Sequence, residues 1–309
     1  MLEPIEWAAV DWGTSNVRVW GVGTDGRHTA PSVSTNGMSR LSPSQFPKVL
    51  EDLLAGFTQI NGRALEVVIC GMAGARDGWC EAPYLAVPTS LSELGKRAVS
   101  PTNAPAGLVP VILPGMCQRQ TENEDIMRGE ETQLLGLLAA RPQYSGVVVM
   151  PGTHSKWAQL DNGHLVDFVT AMTGELYSAI TIGTVLRHSF DPNAAGEEYE
   201  AGVEAGLKAG LDAPGRVTAL MFRARAAALL SGREQAWSSG YLSGLLIGAE
   251  VGGHRSWLSA RTTVPIIGSA RLGASYAKAL AKIGIEGEIL DASEVTVAGL
   301  KLARKERLN

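Results

Sequence analysis

The stretch from Trp7 to Val22 constrains the fold of this chain more than any other part of the sequence. It reads W-A-A-V-D-W-G-T-S-N-V-R-V-W-G-V, in which a short apolar run ends at Asp11, bends through Gly-Thr-Ser and continues with alternating apolar and polar residues. Such alternation is typical of a β-strand, and the Asp-Gly pair at residues 25–26 favours a tight turn. The pattern predicts a β-hairpin whose bend carries one carboxylate, two hydroxyls and several backbone N–H groups.

This bend has the chemistry of a phosphate site. Gly13 permits a close approach of the backbone, and successive N–H groups form a concavity that binds anions. Asp11 stands at the edge of the bend, where it can bind Mg²⁺, which usually takes only one or two protein carboxylates. Taken by itself, an Asp-x-Gly-Thr bend is more often an ordinary hairpin turn.

A second glycine-threonine bend repeats the first in the other half of the chain. The apolar run Val147–Met150 leads into P-G-T-H-S-K-W at residues 151–157, and an Asp-Asn-Gly turn follows at 161–163. We expect two equivalent hairpins that hold the phosphates of a nucleotide from both sides of a cleft. Met150 stands where the first hairpin has Asp11, so the repeat lacks a carboxylate.

Two further apolar runs end in glycine-rich turns. Residues 64–70 lead into G-M-A-G-A-R-D-G-W, and residues 263–267 lead into G-S-A-R-L-G, which is followed by a helical pattern. Ligands of α/β proteins bind at the carboxyl ends of strands. The sequence therefore predicts two more binding turns, the second suited to a base or a ribose.

Composition excludes several classes of function. The net charge is −4 without a basic block, which argues against a nucleic-acid surface. No apolar run approaches the ~20 residues that span a bilayer. The three cysteines lack the spacing of a metal site, and reduced cytosolic thiols are the default for that usage. We expect a cytoplasmic protein that contacts neither nucleic acid nor membrane.

Six motifs together resemble the 2-dehydro-3-deoxygalactonokinase family of the actin-like, sugar-kinase and Hsp70 ATPase superfamily. They are V-D-W-G-T-S-N-V-R-V-W (10–20), G-M-A-G-A-R-D-G-W (71–79), L-P-G-M-C-Q (113–118), D-I-M-R-G-E-E-T-Q-L-L-G (125–136), P-G-T-H-S-K-W (151–157) and T-G-E-L-Y (173–177). The resemblance implies an α/β fold of two RNase-H-like domains with mixed sheets flanked by helices around a nucleotide cleft. We divide them at residues 1–142, with the sugar-acid site, and 143–309, with the adenosine site and a last helix at the domain junction.

The resemblance also implies ATP and Mg²⁺ as cofactors and a small keto-deoxy sugar acid as acceptor. It assigns the nucleotide to Gly13, Thr14, Gly152, Thr153, His154, Lys156, Gly268, Ser269 and Arg271, and the metal to Asp11. A lysine on a hairpin strand is also commonly solvated, which is the alternative for Lys156. His154 has no neighbours that would form a triad, so we expect it to contact phosphate or backbone.

The acceptor's carboxylate suits arginine, which binds carboxylates through two parallel hydrogen bonds. Arg76 and Arg18 are the candidates, and the other residues predicted at the acceptor are Ser15, Asn16, Trp79 and Glu175. Trp79 suits packing as well as stacking. A surface pair of Arg76 with Asp77 is the alternative for that arginine.

The acceptor hydroxyl needs a base or an orienting carboxylate. Relatives carry one near the start of the first connecting helix, which indicates Glu130 first, then Glu131, with Asp11 third. Alternatively, both glutamates only favour a helix N-terminus, where a negative charge is stabilising by ~0.3–1 kcal/mol.

The reaction that the resemblance implies is ATP-dependent phosphorylation of the 6-hydroxyl of 2-dehydro-3-deoxy-D-galactonate. The alternatives are a kinase for the gluco epimer, a phosphate-ester or polyphosphate hydrolase on the same fold, and a nucleotide-binding regulator or filament protein without catalysis. A homodimer is the expected assembly.

Overall fold

A computed structural model describes residues 5–57, 63–258 and 262–308 of the chain. The chain forms two compact units: the first comprises Met1–Ser145, Gln159–Phe168 and Ala292–Asn309, and the second Gly146–Ala158 and Val169–Asp291. The first boundary lies close to the predicted one after residue 142. The last helix, however, belongs to the first unit, whereas the sequence division placed it in the C-terminal domain.

The described residues contain fourteen strands. They are β1 (Ile5–Trp12), β2 (Val17–Gly23), β3 (Ser32–Ser34), β4 (Leu65–Gly71), β5 (Tyr84–Ala86), β6 (Thr89–Ser90), β7 (Leu108–Ile112), β8 (Gly115–Gln118), β9 (Asp125–Met127), β10 (Gly146–Met150), β11 (Ser155–Asp161), β12 (His164–Ala171), β13 (Thr263–Gly268) and β14 (Glu286–Asp291).

The same residues contain eleven α-helices. They are α1 (Phe46–Leu54), α2 (Glu93–Lys96), α3 (Glu130–Ala140), α4 (Thr173–Gly183), α5 (Glu197–Asp212), α6 (Val217–Met221), α7 (Arg223–Ser231), α8 (Gln235–Gly253), α9 (Arg255–Leu258), α10 (Ala270–Ala281) and α11 (Ala292–Leu308). Short 3₁₀ turns lie at Met38–Arg40, Pro43–Gln45, Met72–Gly74, Val185–Ser189 and Pro214–Arg216.

The first sheet has the strand order β3-β2-β1-β4-β7. Strand β2 pairs antiparallel with both β1 and β3, while β1, β4 and β7 run parallel to one another. The predicted opening hairpin is thus the β1–β2 pair. Its inward side chains join those of β4 and α1 in one apolar core that contains Trp12, Val19, Leu50 and Ile69.

The second sheet repeats this order as β14-β13-β10-β11-β12, with the two-residue strand β6 paired to β12. Strands β10, β13 and β14 are parallel. The four- and two-residue connections of β10–β11–β12 are too short for parallel crossovers, so these strands form hairpins. The tip of the β11–β12 hairpin, Gln159–Phe168, is grouped with the first unit.

Both sheets therefore have the order 3-2-1-4-5 of an RNase-H-like domain, counted within each repeat. The predicted fold class is confirmed. Strand β14 was missing from the sequence prediction, because its E-G-E-I-L-D pattern is mostly polar and half-exposed at a sheet edge. Helices α6 and α7 are separated at Phe222, which is 57% exposed.

Two pairs of helices pack closely against each other through glycines. Helices α5 and α8 face each other through glycines spaced four residues apart, namely Gly202, Gly206 and Gly210 on α5 and Gly240, Gly244 and Gly248 on α8. Helices α3 and α11 approach in the same way through Gly136 and Gly299. The close approach at Gly299 is therefore between α11 and α3, within the first unit.

Candidate active site

The first glycine-threonine turn follows β1 and is hydrogen-bonded to the segment at residues 36–39. The Gly13 N–H group donates to Asn16 O at 2.8 Å, which closes the turn. The carbonyl oxygen of Gly13 accepts from Met38 N–H at 3.0 Å, and that of Thr14 accepts from Ser39 N–H at 2.9 Å. The side chains of Thr14, Ser15 and Asn16 are exposed. The predicted phosphate turn is thus held rigid with its side chains open to a ligand.

Asp11 and Arg18 form an ion pair across the first hairpin. Asp11 Oδ2 accepts from Arg18 Nη2 at 2.5 Å and from Arg18 Nε at 3.1 Å. Arg18 Nη1 donates to Ser293 Oγ at 3.0 Å. The guanidinium predicted to bind the acceptor's carboxylate is therefore occupied by Asp11, which it positions.

The two glutamates at the start of α3 differ in exposure. Glu130 is half-buried, and its Oε2 atom accepts from the backbone N–H of Arg128 at 3.2 Å. Glu131 is fully buried, and its two oxygens accept from Gly129 N–H at 2.8 and 2.7 Å. Burial and the neighbouring Glu130 charge raise the pKa of Glu131 to about 8. This placement favours Glu130 as the carboxylate that reaches an acceptor.

The glycine loop after β4 carries two residues that were predicted to bind the acceptor, and these two residues differ in exposure. Arg76 is exposed. Trp79 is 7% exposed, its ring lies 6.4 Å from those of Trp12 and Phe46, and its Nε1 donates to Asn103 Oδ1 at 2.8 Å. The structure places Trp79 in the apolar core, where packing is its role.

The second glycine-threonine turn follows β10 and contacts the start of α4. The Thr153 carbonyl oxygen accepts from Glu175 N–H at 3.0 Å, and a side chain at Gly174 would overlap the backbone of the turn. His154 Nε2 makes a short hydrogen bond to Glu175 Oε2, although both side chains are half-exposed. The T-G-E-L-Y motif thus supports the second glycine-threonine turn.

Lys156 is buried on β11. It is 5% exposed, and its Nζ donates to Thr170 Oγ1 of β12 at 2.6 Å. The alternative of a solvated lysine on a hairpin strand is therefore wrong.

A cavity of about 330 Å³ lies in the second unit beside this turn. Gly152, Ser269 and Arg271 line it, so the structure brings together residues from two of the predicted nucleotide motifs. Arg271 lies over the Tyr199 ring, 5.5 Å from its centre, and Leu246 supplies apolar surface. An aromatic and apolar cavity with a few polar groups is typical of a small-molecule site.

Ser269 caps α10 at the mouth of this cavity. Its Oγ accepts from Leu272 N–H, and the serine itself is exposed. Gly268 precedes it as the last residue of β13. The third predicted turn therefore leads directly into the N-terminus of a twelve-residue helix.

Glu250 of α8 is a buried residue that the sequence reasoning missed. Its Oε1 accepts from Trp157 Nε1 at 2.7 Å, and its Oε2 accepts from Tyr276 Oη at 2.7 Å and from Thr173 Oγ1 in a short hydrogen bond. Ser155 Oγ lies 2.8 Å from Tyr276 Oη. Burial raises the pKa of Glu250, and the hydrogen bonds oppose that rise. The available signal was the single charged residue of α8, in the otherwise apolar stretch L-L-I-G-A-E-V at residues 245–251.

In residues 5–57, 63–258 and 262–308, no three His, Cys, Asp or Glu side chains cluster so as to hold a metal ion. None of the helices described there has the length and apolarity that crossing a membrane requires.

The repeated sheets and their equivalent turns define the fold class of the actin-like ATPases and sugar kinases. A model of the family described as 2-keto-3-deoxy-galactonokinase matches residues 11–303. A probable 2-dehydro-3-deoxygalactonokinase of Rhizobium meliloti (strain 1021) is 39% identical over 302 residues, 97% of this chain and 96% of that protein. The 2-dehydro-3-deoxygalactonokinase of Escherichia coli (strain K12) is 34% identical over 294 residues, 95% of each chain.

A solved structure agrees with these relatives. The crystal structure of a Sinorhizobium meliloti protein, provisionally named a 2-dehydro-3-deoxygalactonokinase, matches with a TM-score of 0.88 at 39% identity over 97% of this chain and 96% of that one. The chain therefore belongs to the 2-keto-3-deoxy-galactonokinase family. It is an enzyme, a kinase that transfers a phosphoryl group to an alcohol, which confirms the predicted class.

Proposed function

We propose that the chain transfers the γ-phosphoryl group of ATP to the 6-hydroxyl of 2-dehydro-3-deoxy-D-galactonate in galactonate breakdown. The observation that carries the proposal is the equivalence of the two turns. Each turn joins the first strand to the second strand of a sheet whose order, counted within each repeat, is 3-2-1-4-5. Family membership supplies the choice of donor and acceptor.

Phosphoryl transfer depends on positioning and charge stabilisation more than on covalent chemistry. Each of the two turns, around Gly13 and around Gly152, is suited by itself to bind phosphate through backbone N–H groups, with the exposed hydroxyl of Thr14 or of Thr153 beside it. The cavity beside Arg271 takes the adenosine. We assign to Lys156 the role of positioning the β11–β12 hairpin, since its side chain is buried against Thr170.

Asp11 fits a role as the single protein carboxylate toward Mg²⁺. Its Oδ2 accepts from Arg18, whereas its Oδ1 receives only the weak thiol donor of Cys70, at 3.8 Å, in the described hydrogen bonds. A carboxylate has about four acceptor positions, so Oδ1 can accept from a metal-bound water. Bound Mg²⁺ would neutralise charge on the phosphate oxygens, and it commonly keeps several waters.

Glu130 is the proposed base or orienting group for the acceptor hydroxyl. It is half-buried at the start of α3, whereas Glu131 is enclosed and holds the Gly129 turn. Arg76, exposed on the glycine loop, is the proposed partner of the acceptor's carboxylate, with Ser15 and Asn16 near the hydroxyls. We extend the proposal to a homodimer in the cytoplasm.

The test is a panel of 2-dehydro-3-deoxy acids with ATP and Mg²⁺, followed by the mass of the product and by ADP release. We expect a phosphorylated product from the galacto acid at a higher kcat/KM than from the gluco epimer. ADP release without any acceptor would instead support a hydrolase. No phosphorylated product from any acid would overturn the proposal.

The same assay tests Glu130. General acid–base groups contribute roughly 10²–10⁴ in rate, so Glu130→Gln should lower kcat at least about a hundredfold. Glu124→Gln, an exposed position in the preceding polar segment, is the matched control and should retain activity. Turnover of Glu130→Gln within a few-fold of the unmodified enzyme would remove Glu130 from the mechanism.

A further inference from the structure

We propose that Glu250 positions Thr173 so that the threonine oxygen accepts a hydrogen bond from a ribose hydroxyl of the bound nucleotide. This rests on the proposed use of ATP. It makes Glu250 a positioning residue and Thr173 a specificity-determining residue of the nucleotide cavity.

The first step is the set of donors around Glu250. An indole N–H from Trp157 and hydroxyls from Thr173 and Tyr276 converge on its two oxygens. The indole nitrogen is a donor only, so Glu250 Oε1 is the acceptor of that bond. Glu250 is 7% exposed, so these contacts, and not water, satisfy its oxygens.

The second step is the direction of the protons. The Thr173 and Tyr276 hydroxyls both donate to Glu250 Oε2, and each hydroxyl has one proton. Tyr276 has one hydroxyl proton, which goes to Glu250; Ser155 therefore donates to Tyr276 Oη. Thr173 likewise donates its only hydroxyl proton to Glu250. Its oxygen presents lone pairs alone, which accept from O–H or N–H groups and disfavour phosphate oxygens.

The third step is the position of Thr173 in the cavity. Thr173 lines it together with Gly152 of the phosphate turn, and the adjacent Gly174 lies against that turn. Tyr199 and Arg271 form the aromatic part of the wall, which suits a base. The ribose is covalently placed between base and phosphates, and its hydroxyls are donors. A ribose hydroxyl is thus the group that this oxygen suits.

The test compares ATP with 2′-deoxy-ATP, 3′-deoxy-ATP and the matching fluoro analogues, in which fluorine can accept but not donate. One hydrogen bond contributes roughly 1 kcal/mol, so the unmodified enzyme should lose about five- to tenfold in kcat/KM with one deoxynucleotide and equally with its fluoro analogue. Thr173→Ser should keep this discrimination, and Thr173→Val should abolish it.

Glu250→Gln tests the positioning role. Its amide oxygen should accept from Trp157, which leaves the NH₂ group to donate to the Thr173 and Tyr276 hydroxyls. The Thr173 proton then points into the cavity, so the fluoro analogue should become a better substrate than the deoxynucleotide. The KM for the sugar acid should stay within about twofold.

Ser238→Ala is the matched control, since it removes a buried α8 hydrogen bond to Ala224 O without touching the cavity wall. It should leave nucleotide preference unchanged. Equal use of all nucleotides by the unmodified enzyme, or a Glu250→Gln profile like that of Ser238→Ala, would overturn the inference. Absence of any ATP-dependent product would count against the proposed function instead.

Discussion

Glu130 and Glu131 are adjacent in the chain but have different surroundings. Helical geometry turns successive side chains by about 100°, and the structure shows which of the two enters the interior. Glu131 does so without a cation at hydrogen-bond distance among its described contacts, and it accepts from Gly129 N–H. The residue that the sequence ranked second as a base is therefore better explained as a support of the turn before α3.

The buried Glu131 predicts an unusual pH dependence of stability. Its pKa of about 8 lies above the ordinary value of 4.5, so the folded state holds this proton more tightly than the unfolded state. Its contribution is fully present below about pH 4.5 and is lost as the pH rises toward 8. Each pKa unit corresponds to about 1.4 kcal/mol.

Glu131→Gln removes that titration. We expect its free energy of unfolding, measured with urea, to vary less between pH 5 and pH 8.5 and to exceed that of the unmodified protein at pH 8.5. Parallel pH profiles for the two proteins would contradict the assignment.

At the scale of elements, the α5–α8 pair forms part of the cavity wall. Tyr199 of α5 and Leu246 of α8 both line the cavity, so the spacing of the helices sets its width. Their glycine columns bring the two backbones together, and a methyl group at Gly206 or Gly244 would overlap the Tyr241 or the Val203 carbonyl oxygen.

Gly206→Ala and Gly244→Ala should each be destabilising, because a backbone carbonyl cannot move aside as a flexible side chain can. Overpacking typically costs 1–3 kcal/mol, and we expect about 2 kcal/mol in urea denaturation together with a higher KM for ATP. Gly253→Ala, at the open end of α8, is the control and should be neutral or stabilising by up to about 1 kcal/mol. Equal effects at the three positions would refute the packing argument.

At the scale of the whole molecule, both ends of the chain contribute to the first unit. Helix α11 packs on α3 and is tied to β4 by Glu66, which accepts from Arg304 Nε at 2.6 Å and makes a short ion pair with Arg307. Although burial opposes them, the hydrogen bonds from Arg307 and Arg304 lower the pKa of Glu66. The last helix is thus a structural part of the unit that begins the chain.

Glu66→Gln should lower the free energy of unfolding by about 2 kcal/mol at pH 7, since hydrogen bonds to charged groups contribute about 1.5–3 kcal/mol. The folded pKa is lowered, so this difference is present above pH 4.5 and declines at lower pH. Glu6→Gln, at an exposed partner of the same Arg304, should cost less than about 1 kcal/mol. Equal losses would show that α11 is not held through Glu66.

The sequence by itself determined the two glycine-threonine turns and the strands before them. These features are local: a strand period of two, a turn that needs glycine and a cluster of backbone N–H groups are all written in consecutive residues. The pairing of Asp11 with Arg18 was also within reach, because the two face each other in the register of a short hairpin.

Only the tertiary structure decided the surroundings of Glu250, the burial of Glu131 and Lys156, and the return of α11 to the first unit. Glu250 meets Trp157 from 93 positions earlier in the chain, and no local pattern encodes such a contact. The burial of a side chain and the direction of its hydrogen bonds depend on which elements pack together. The two glycine-threonine turns were therefore predictable, whereas the polarity of the cavity wall beside the second turn was not.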